Sequence, residues 1–149
     1  MSGGTLSSHG QSNGYFQAGD RVQGIQFTSS SDIDCIIGLA HNSNVAGSYQ
    51  NIAFALYRRL GELKYNEGQD PWESPFGSGL YASTFVVQLR VNANGKVEYV
   101  VDGSVMHTSD IDAWSRGDKF WVASGHNAPS FHSFQWVTAD GTPVGPVWT

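Results

Sequence analysis

Thr84-Phe85-Val86-Val87-Gln88-Leu89-Arg90-Val91 is the stretch whose reading decides the fold. Phe85, Val87, Leu89 and Val91 fall on one face, with Gln88 and Arg90 on the other. That period of two belongs to a strand with one buried face. Asn94-Gly95 follows, then Lys96-Val97-Glu98-Tyr99-Val100-Val101, in which Val97, Tyr99 and Val101 face inward and Glu98 points away. Asp102-Gly103 turns the chain again, into Ser104 to Thr108. Asn-Gly and Asp-Gly supply the positive φ of tight primed turns, so this stretch predicts a three-strand meander.

Working outward, the same alternation predicts strands over Arg21 to Phe27, Asp34 to Leu39, Lys119 to Ser124 and Phe131 to Thr138. In Asn51 to Leu60, Ile52, Phe54 and Leu56 alternate with Ala53, Ala55 and Tyr57. Both faces are apolar, which suits a strand inside a two-layer packing. Glu62 to Tyr65 is a short strand after the Leu60-Gly61 turn. Ser109 to Trp114 reads as one helical turn, capped by Ser109 or Asp110. Pro143 and Pro146 make the C-terminal segment an edge strand or an extended tail. Residues 1–14, rich in Gly, Ser, Asn and Gln, are expected to be disordered, with one domain over 15–149. Many short strands without an amphipathic helix of ordinary length place the chain in the all-β class, as an antiparallel β-sandwich. No fixed-period repeat suggests a solenoid or propeller.

Composition bounds the function. The chain has 149 residues, 18 of them Gly, with 40% apolar and 14% charged residues, so one core is expected and a charge-rich disordered chain is excluded. Net charge is -5, and the densest basic cluster is the pair Arg58-Arg59. Counterion release has little to act on, which argues against nucleic acid as a partner. No run approaches the ~18 apolar residues of a membrane span. The single Cys35 excludes an internal disulfide and a Cys-based metal cluster, and its apolar neighbours predict a buried thiol. No cofactor is expected. The polar opening lacks the apolar core of a secretory signal. It fits either a cytoplasmic protein or part of a larger surface protein.

The middle of the chain carries a resemblance. Ile25-Gln26-Phe27, Ile36-Ile37-Gly38-Leu39 and Asn51-Ile52-Ala53-Phe54-Ala55-Leu56 form its first half. Gly61-Glu62-Leu63-Lys64-Tyr65-Asn66-Glu67-Gly68, Val97-Glu98-Tyr99-Val100-Val101-Asp102-Gly103 and Met106-His107-Thr108-Ser109 complete it. This order resembles the concanavalin A-like (SPRY-like) sandwich modules of large surface and adhesion proteins, which implies a jelly-roll fold. Two stretches depart from the pattern: the long loop Gln69 to Tyr81 and the aromatic C-terminal part, His126 to Trp148. The resemblance implies that an activity particular to this chain resides there.

In the first departure, Asp70, Trp72 and Glu73 follow Asn66. A Trp ring face stacks on the C–H face of a pyranose while carboxylates and amides pair with its hydroxyls. The competing reading has Trp72 covering a sheet edge. A second candidate is the polar run His41-Asn42-Ser43-Asn44 with Tyr49, which also reads as a turn whose Asn residues take positive φ. His126 and Asn127 form a third. His126 and His132 lack a zinc-ligand pattern, and Pro129 lies between them. Asp32 with Asp34, and Asp110 with Asp112, lack the spacing of a calcium loop and read as turn and capping residues.

Catalysis has weaker support. No nucleophile elbow or phosphate-binding loop is present. Glycoside hydrolysis would need two facing carboxylates from Glu62, Glu67, Glu73 and Glu98. Tyr99, Arg90 and Gln88 could mimic the Tyr-with-Arg set of sandwich-fold lyases. The residues therefore favour a non-catalytic binding module for carbohydrate, of lectin or adhesive type. The alternative is a protein-binding or self-assembling module, and a third reading is a polysaccharide-cleaving enzyme. Phe134, Trp136, Val144, Val147 and Trp148 continue past the apparent core, which predicts a homo-oligomer.

Overall fold

A computed structural model describes residues 10–30, 35–41, 52–59, 61–67, 84–126 and 131–148. The strands are β1 (Gln11–Gln17), β2 (Gly24–Ser29), β3 (Cys35–Ala40), β4 (Phe54–Arg59), β5 (Glu62–Asn66) and β6 (Phe85–Val91). They continue as β7 (Lys96–Val101), β8 (Ser104–Asp112), β9 (Lys119–His126), β10 (Phe131–Val137) and β11 (Pro143–Trp148). They form two antiparallel sheets, ordered β1-β9-β3-β4-β5 and β11-β10-β2-β6-β7-β8. The expected sandwich is the observed one.

The meander is in register, with Val87 opposite Val101, Leu89 opposite Tyr99 and Val91 opposite Val97. All six side chains are buried between the sheets, where Phe27, Leu39, Phe54 and Phe120 meet them. The two turns differ from each other. Asp102 (φ 48°) and Gly103 (φ 84°) both take positive φ, as a tight primed turn requires. At the other hairpin Gly95 (φ 77°) takes positive φ but Asn94 does not. That turn is wider because the Asn92 carboxamide oxygen accepts from the Asn94 and Lys96 amides, at 2.9 and 3.1 Å.

Three local expectations are corrected. β1 begins at Gln11, so ordered strand starts before Tyr15. Ser12 explains this: it is buried, its hydroxyl donates to the Gly14 carbonyl and accepts from the Val122 amide. The helical turn lies later than expected, at Ala113–Ser115, because β8 runs on to Asp112. Asp112 caps it by accepting from the Trp114 amide at 3.1 Å. Phe134, Trp136 and Trp148 are core residues, 1%, 0% and 7% exposed, rather than a surplus patch. Trp148 of the edge strand β11 stacks on Phe134 with ring centroids 4.7 Å apart. Val147 is the large side chain of this tail that stays exposed.

The apolar second face of β4 has a partner. Ala55, Ile36, Ala40, Ala123 and Ile52 form a small cluster on the outside of the five-stranded sheet, with Tyr57 against it. Gly38 makes room: a Cβ there would lie 2.1 Å from the Phe54 carbonyl oxygen and 2.6 Å from the Ile52 side chain.

Candidate functional site

The connection from β5 to β6 crosses from one sheet to the other. The residues described on either side of it are both anchored across the sandwich. On the β5 side this falls to Glu67, which is 4% exposed. Its carboxylate accepts from the Tyr99 hydroxyl and the Ser109 hydroxyl, each at 2.9 Å. Arg116 donates to the Glu67 backbone carbonyl at 3.1 Å. A buried carboxylate is costly unless hydrogen-bonded, so two hydroxyl donors fix where β5 ends. His107 Nε2 sits 3.9 Å from the same carboxylate, and its ring stacks on Tyr65 at 4.0 Å. Burial, then the adjacent Glu67 charge, hold the Tyr99 phenol well above the ordinary tyrosine range.

On the β6 side the anchor is Arg58 of β4, which is fully buried. Its guanidinium lies 4.5 Å over the Phe85 ring, and Nη1 donates to the Ser29 hydroxyl at 2.7 Å. Cation–π contact and a charge-assisted bond both gain strength away from water. Each flank of the Gln69 to Tyr81 segment is thus tied to the opposite sheet by a buried ionisable residue.

The lyase-like set is corrected by the alternation of the strands. Tyr99 points into the core, whereas Gln88 and Arg90 lie on the outer face of the same sheet. There Arg90 Nε donates to Glu98 at 2.9 Å and Nη1 to the Gln88 carboxamide oxygen at 2.7 Å. Gln88 donates in turn to Gln26 and to the Gly141 carbonyl, each at 3.0 Å. These groups satisfy one another and pin the turn around Gly141 to the sheet. They share no site with Tyr99. Glu67 and Glu98 are likewise divided, one between the sheets and the other outside.

Asn66 closes β5 opposite Ala55 and is buried. His41 follows β3 and is exposed beside Gly117, where a Cβ would come within 2.5 Å of the His41 Cβ. His126 ends β9 opposite Ile36. Asp70, Trp72, Glu73, Asn42, Asn44, Tyr49 and Asn127 lie outside the described residues.

Sequence reasoning passed over one feature. Tyr15 of β1 and Trp121 of β9 are register partners on the outer face of the five-stranded sheet, with ring centroids 5.1 Å apart and planes tilted by 49°. Lys119 Nζ lies 4.9 Å over the Tyr15 ring. Tyr15 is 38% exposed. The signal was available: in β9, Phe120 and Val122 face the core, so Lys119 and Trp121 must face outward.

No family model matches the chain, and no curated protein matches it by sequence. Solved structures do. Sheep galectin-11 in complex with glycerol superposes with a TM-score of 0.51 at 11% identity, covering 89% of this chain and 100% of the galectin. LamAcat from Zobellia galactanivorans superposes with a TM-score of 0.43 at 12% identity, covering 92% of this chain and 62% of that one. Identities this low speak to fold alone. The chain has the concanavalin A-like jelly-roll sandwich fold.

Proposed function

We propose that the protein is a non-catalytic carbohydrate-binding module whose principal contacts lie in the Gln69 to Tyr81 loop. Trp72 is the platform for a sugar ring, with Asp70 and Glu73 as hydroxyl partners. Asn66, at the end of β5, is a further polar partner. His41, Asn42, Asn44, Tyr49, His126 and Asn127 are secondary polar contacts. The observation that carries this reading is the double anchoring of the loop's flanks, at Glu67 and at Phe85 with Arg58. A rigid frame that holds a long loop bearing an aromatic ring and carboxylates is how sandwich scaffolds present recognition. Sheep galectin-11, which shares the fold, is complexed with a polyol, glycerol. The six-stranded sheet separates Glu67 from Glu98, so that pair does not face one glycosidic bond as hydrolysis by it would need.

The test is a glycan array followed by titration of the best ligand into wild type and Trp72→Ala. Loss of binding at an unchanged melting temperature supports the reading. An array without a bound glycan contradicts it.

A protein-binding or self-assembling module is the second reading. It is favoured by the exposed Val147 on β11 and by Val105 and Met106 on β8, since both strands are sheet edges. Light scattering at high concentration tests it: a dimer mass supports self-assembly, and a monomer mass argues against it.

A further inference from the structure

Among the described residues, Tyr15 is the exposed aromatic side chain. Four observations converge on it. Its ring meets Trp121 at a tilt rather than in a closed stack, so the two rings do not seal each other's faces. Asn13 and Gln17 are exposed on the same face of β1, two residues to either side. Lys119 sets its ammonium group over the Tyr15 ring, 4.9 Å from the centroid, beside the face that Trp121 leaves open. Trp121 also stands opposite Ala40 of β3, whose small side chain leaves the indole uncovered on that side. The polar groups at this edge are therefore amides and an ammonium group around two aromatic rings. An apolar partner would leave those donors and acceptors dry and unpaired, at a cost. A pyranose suits them, because one face offers C–H groups to a ring while its rim offers hydroxyls to amides and an ammonium group.

We infer that Tyr15 and Trp121 form a second sugar-binding platform, at the β1–β9 edge of the five-stranded sheet, in addition to the Trp72 loop. The inference rests on the reading of the protein as a carbohydrate-binding module. The platform contacts a ring of an oligosaccharide, with Asn13, Gln17 and Lys119 as hydroxyl partners.

The alternative is that Tyr15 and Trp121 are only a cross-strand pair stabilising the edge. The experiment titrates isotope-labelled protein with hexose monosaccharides and with neutral hexose oligosaccharides of two to six units, following backbone amide and indole resonances. The variants Tyr15→Leu, Trp121→Leu and Trp72→Ala are titrated alongside. Leu keeps apolar bulk on the sheet but removes the ring face. The expected result is a shift of the Trp121 indole signal by an oligosaccharide, with about tenfold weaker binding in Trp121→Leu and a smaller loss in Tyr15→Leu. Melting temperatures serve as the control. If Trp121→Leu fails to fold, the indole shift in wild type and the Tyr15→Leu affinity decide.

An unmoved Trp121 signal, with wild-type affinity in both Leu variants, overturns the platform. Loss of binding in Trp72→Ala would then leave the loop reading standing. Wild-type binding in Trp72→Ala with loss in Trp121→Leu removes the loop from the account and keeps the platform. No shift with any sugar overturns both.

Discussion

Tyr99 of β7 donates a hydrogen bond of 2.9 Å to the carboxylate of Glu67, which lies just past the end of β5 in the opposite sheet. Tyr99 is fully buried and Glu67 nearly so. The bond joins the sheets at the side where the edge strands β5 and β8 face each other. It also sets where the chain leaves β5 for the segment that bears Trp72. Removing the hydroxyl leaves a buried carboxylate with Ser109 as its remaining hydroxyl donor. Tyr99→Phe is expected to cost about 1–3 kcal/mol of stability, read from urea denaturation. An unchanged urea midpoint would show that the bond contributes nothing.

The same pair makes stability sensitive to high pH. The Tyr99 phenol holds its proton more tightly in the folded chain, chiefly because it is buried and then because Glu67 is charged. The unfolded chain releases that proton near pH ~10, while the folded chain keeps it. Its contribution is therefore complete below pH ~10 and is lost as pH rises toward the folded pKa. The stability difference between wild type and Tyr99→Phe should be flat at neutral pH and shrink above ~10. A difference that grows with pH would reverse the sign.

The C-terminal aromatic strand should behave as core. Trp148 is 7% exposed and stacks on Phe134, so Trp148→Ala is expected to cost about 3–5 kcal/mol. Deleting Pro143 to Thr149 should lower the melting temperature of the monomer itself. A truncation that changes only the mass in light scattering, at constant melting temperature, would return the tail to an interface role.

A side chain at Gly141 should be costly. Its φ is +91°, and a Cβ there would lie 2.2 Å from Arg90 Nη1 and 2.5 Å from the Gln88 carboxamide. Gly141→Ala combines left-handed strain with displacement of the Arg90–Gln88 network, each of order 1 kcal/mol. Thermal denaturation should show a drop of several degrees. Asp140 accepts from both Thr138 and Thr142 in this turn, and these bonds hold its carboxyl below the usual carboxylate range. The help it gives the turn is present above pH ~4 and fades as pH falls through its folded value.

Much of the fold was legible because period-two alternation in β6 and β7 is a local signal, and the Asp102-Gly103 turn is written in two residues. The width of the other turn was not, because it depends on where the Asn92 side chain points. The tail was misread because the core appeared complete without it. Stacking of Trp148 on Phe134 is a contact between strands, and no alternation within one strand reveals it. The site divides in the same way. Trp72 and its carboxylates stand out as a run in the sequence. Tyr15 and Trp121 are brought together only by the pairing of β1 with β9. Glu67 and Tyr99 meet only because the two sheets stack.

The most direct test of the central claim is calorimetric titration of an array-selected glycan into wild type and Trp72→Ala, with melting temperatures measured in parallel. The account predicts that wild type binds and that Trp72→Ala loses at least ~2 kcal/mol of affinity, as a hot-spot aromatic does, while its melting temperature is unchanged. Full glycan affinity in Trp72→Ala together with a lowered melting temperature would contradict it, making Trp72 a structural cover for a sheet edge.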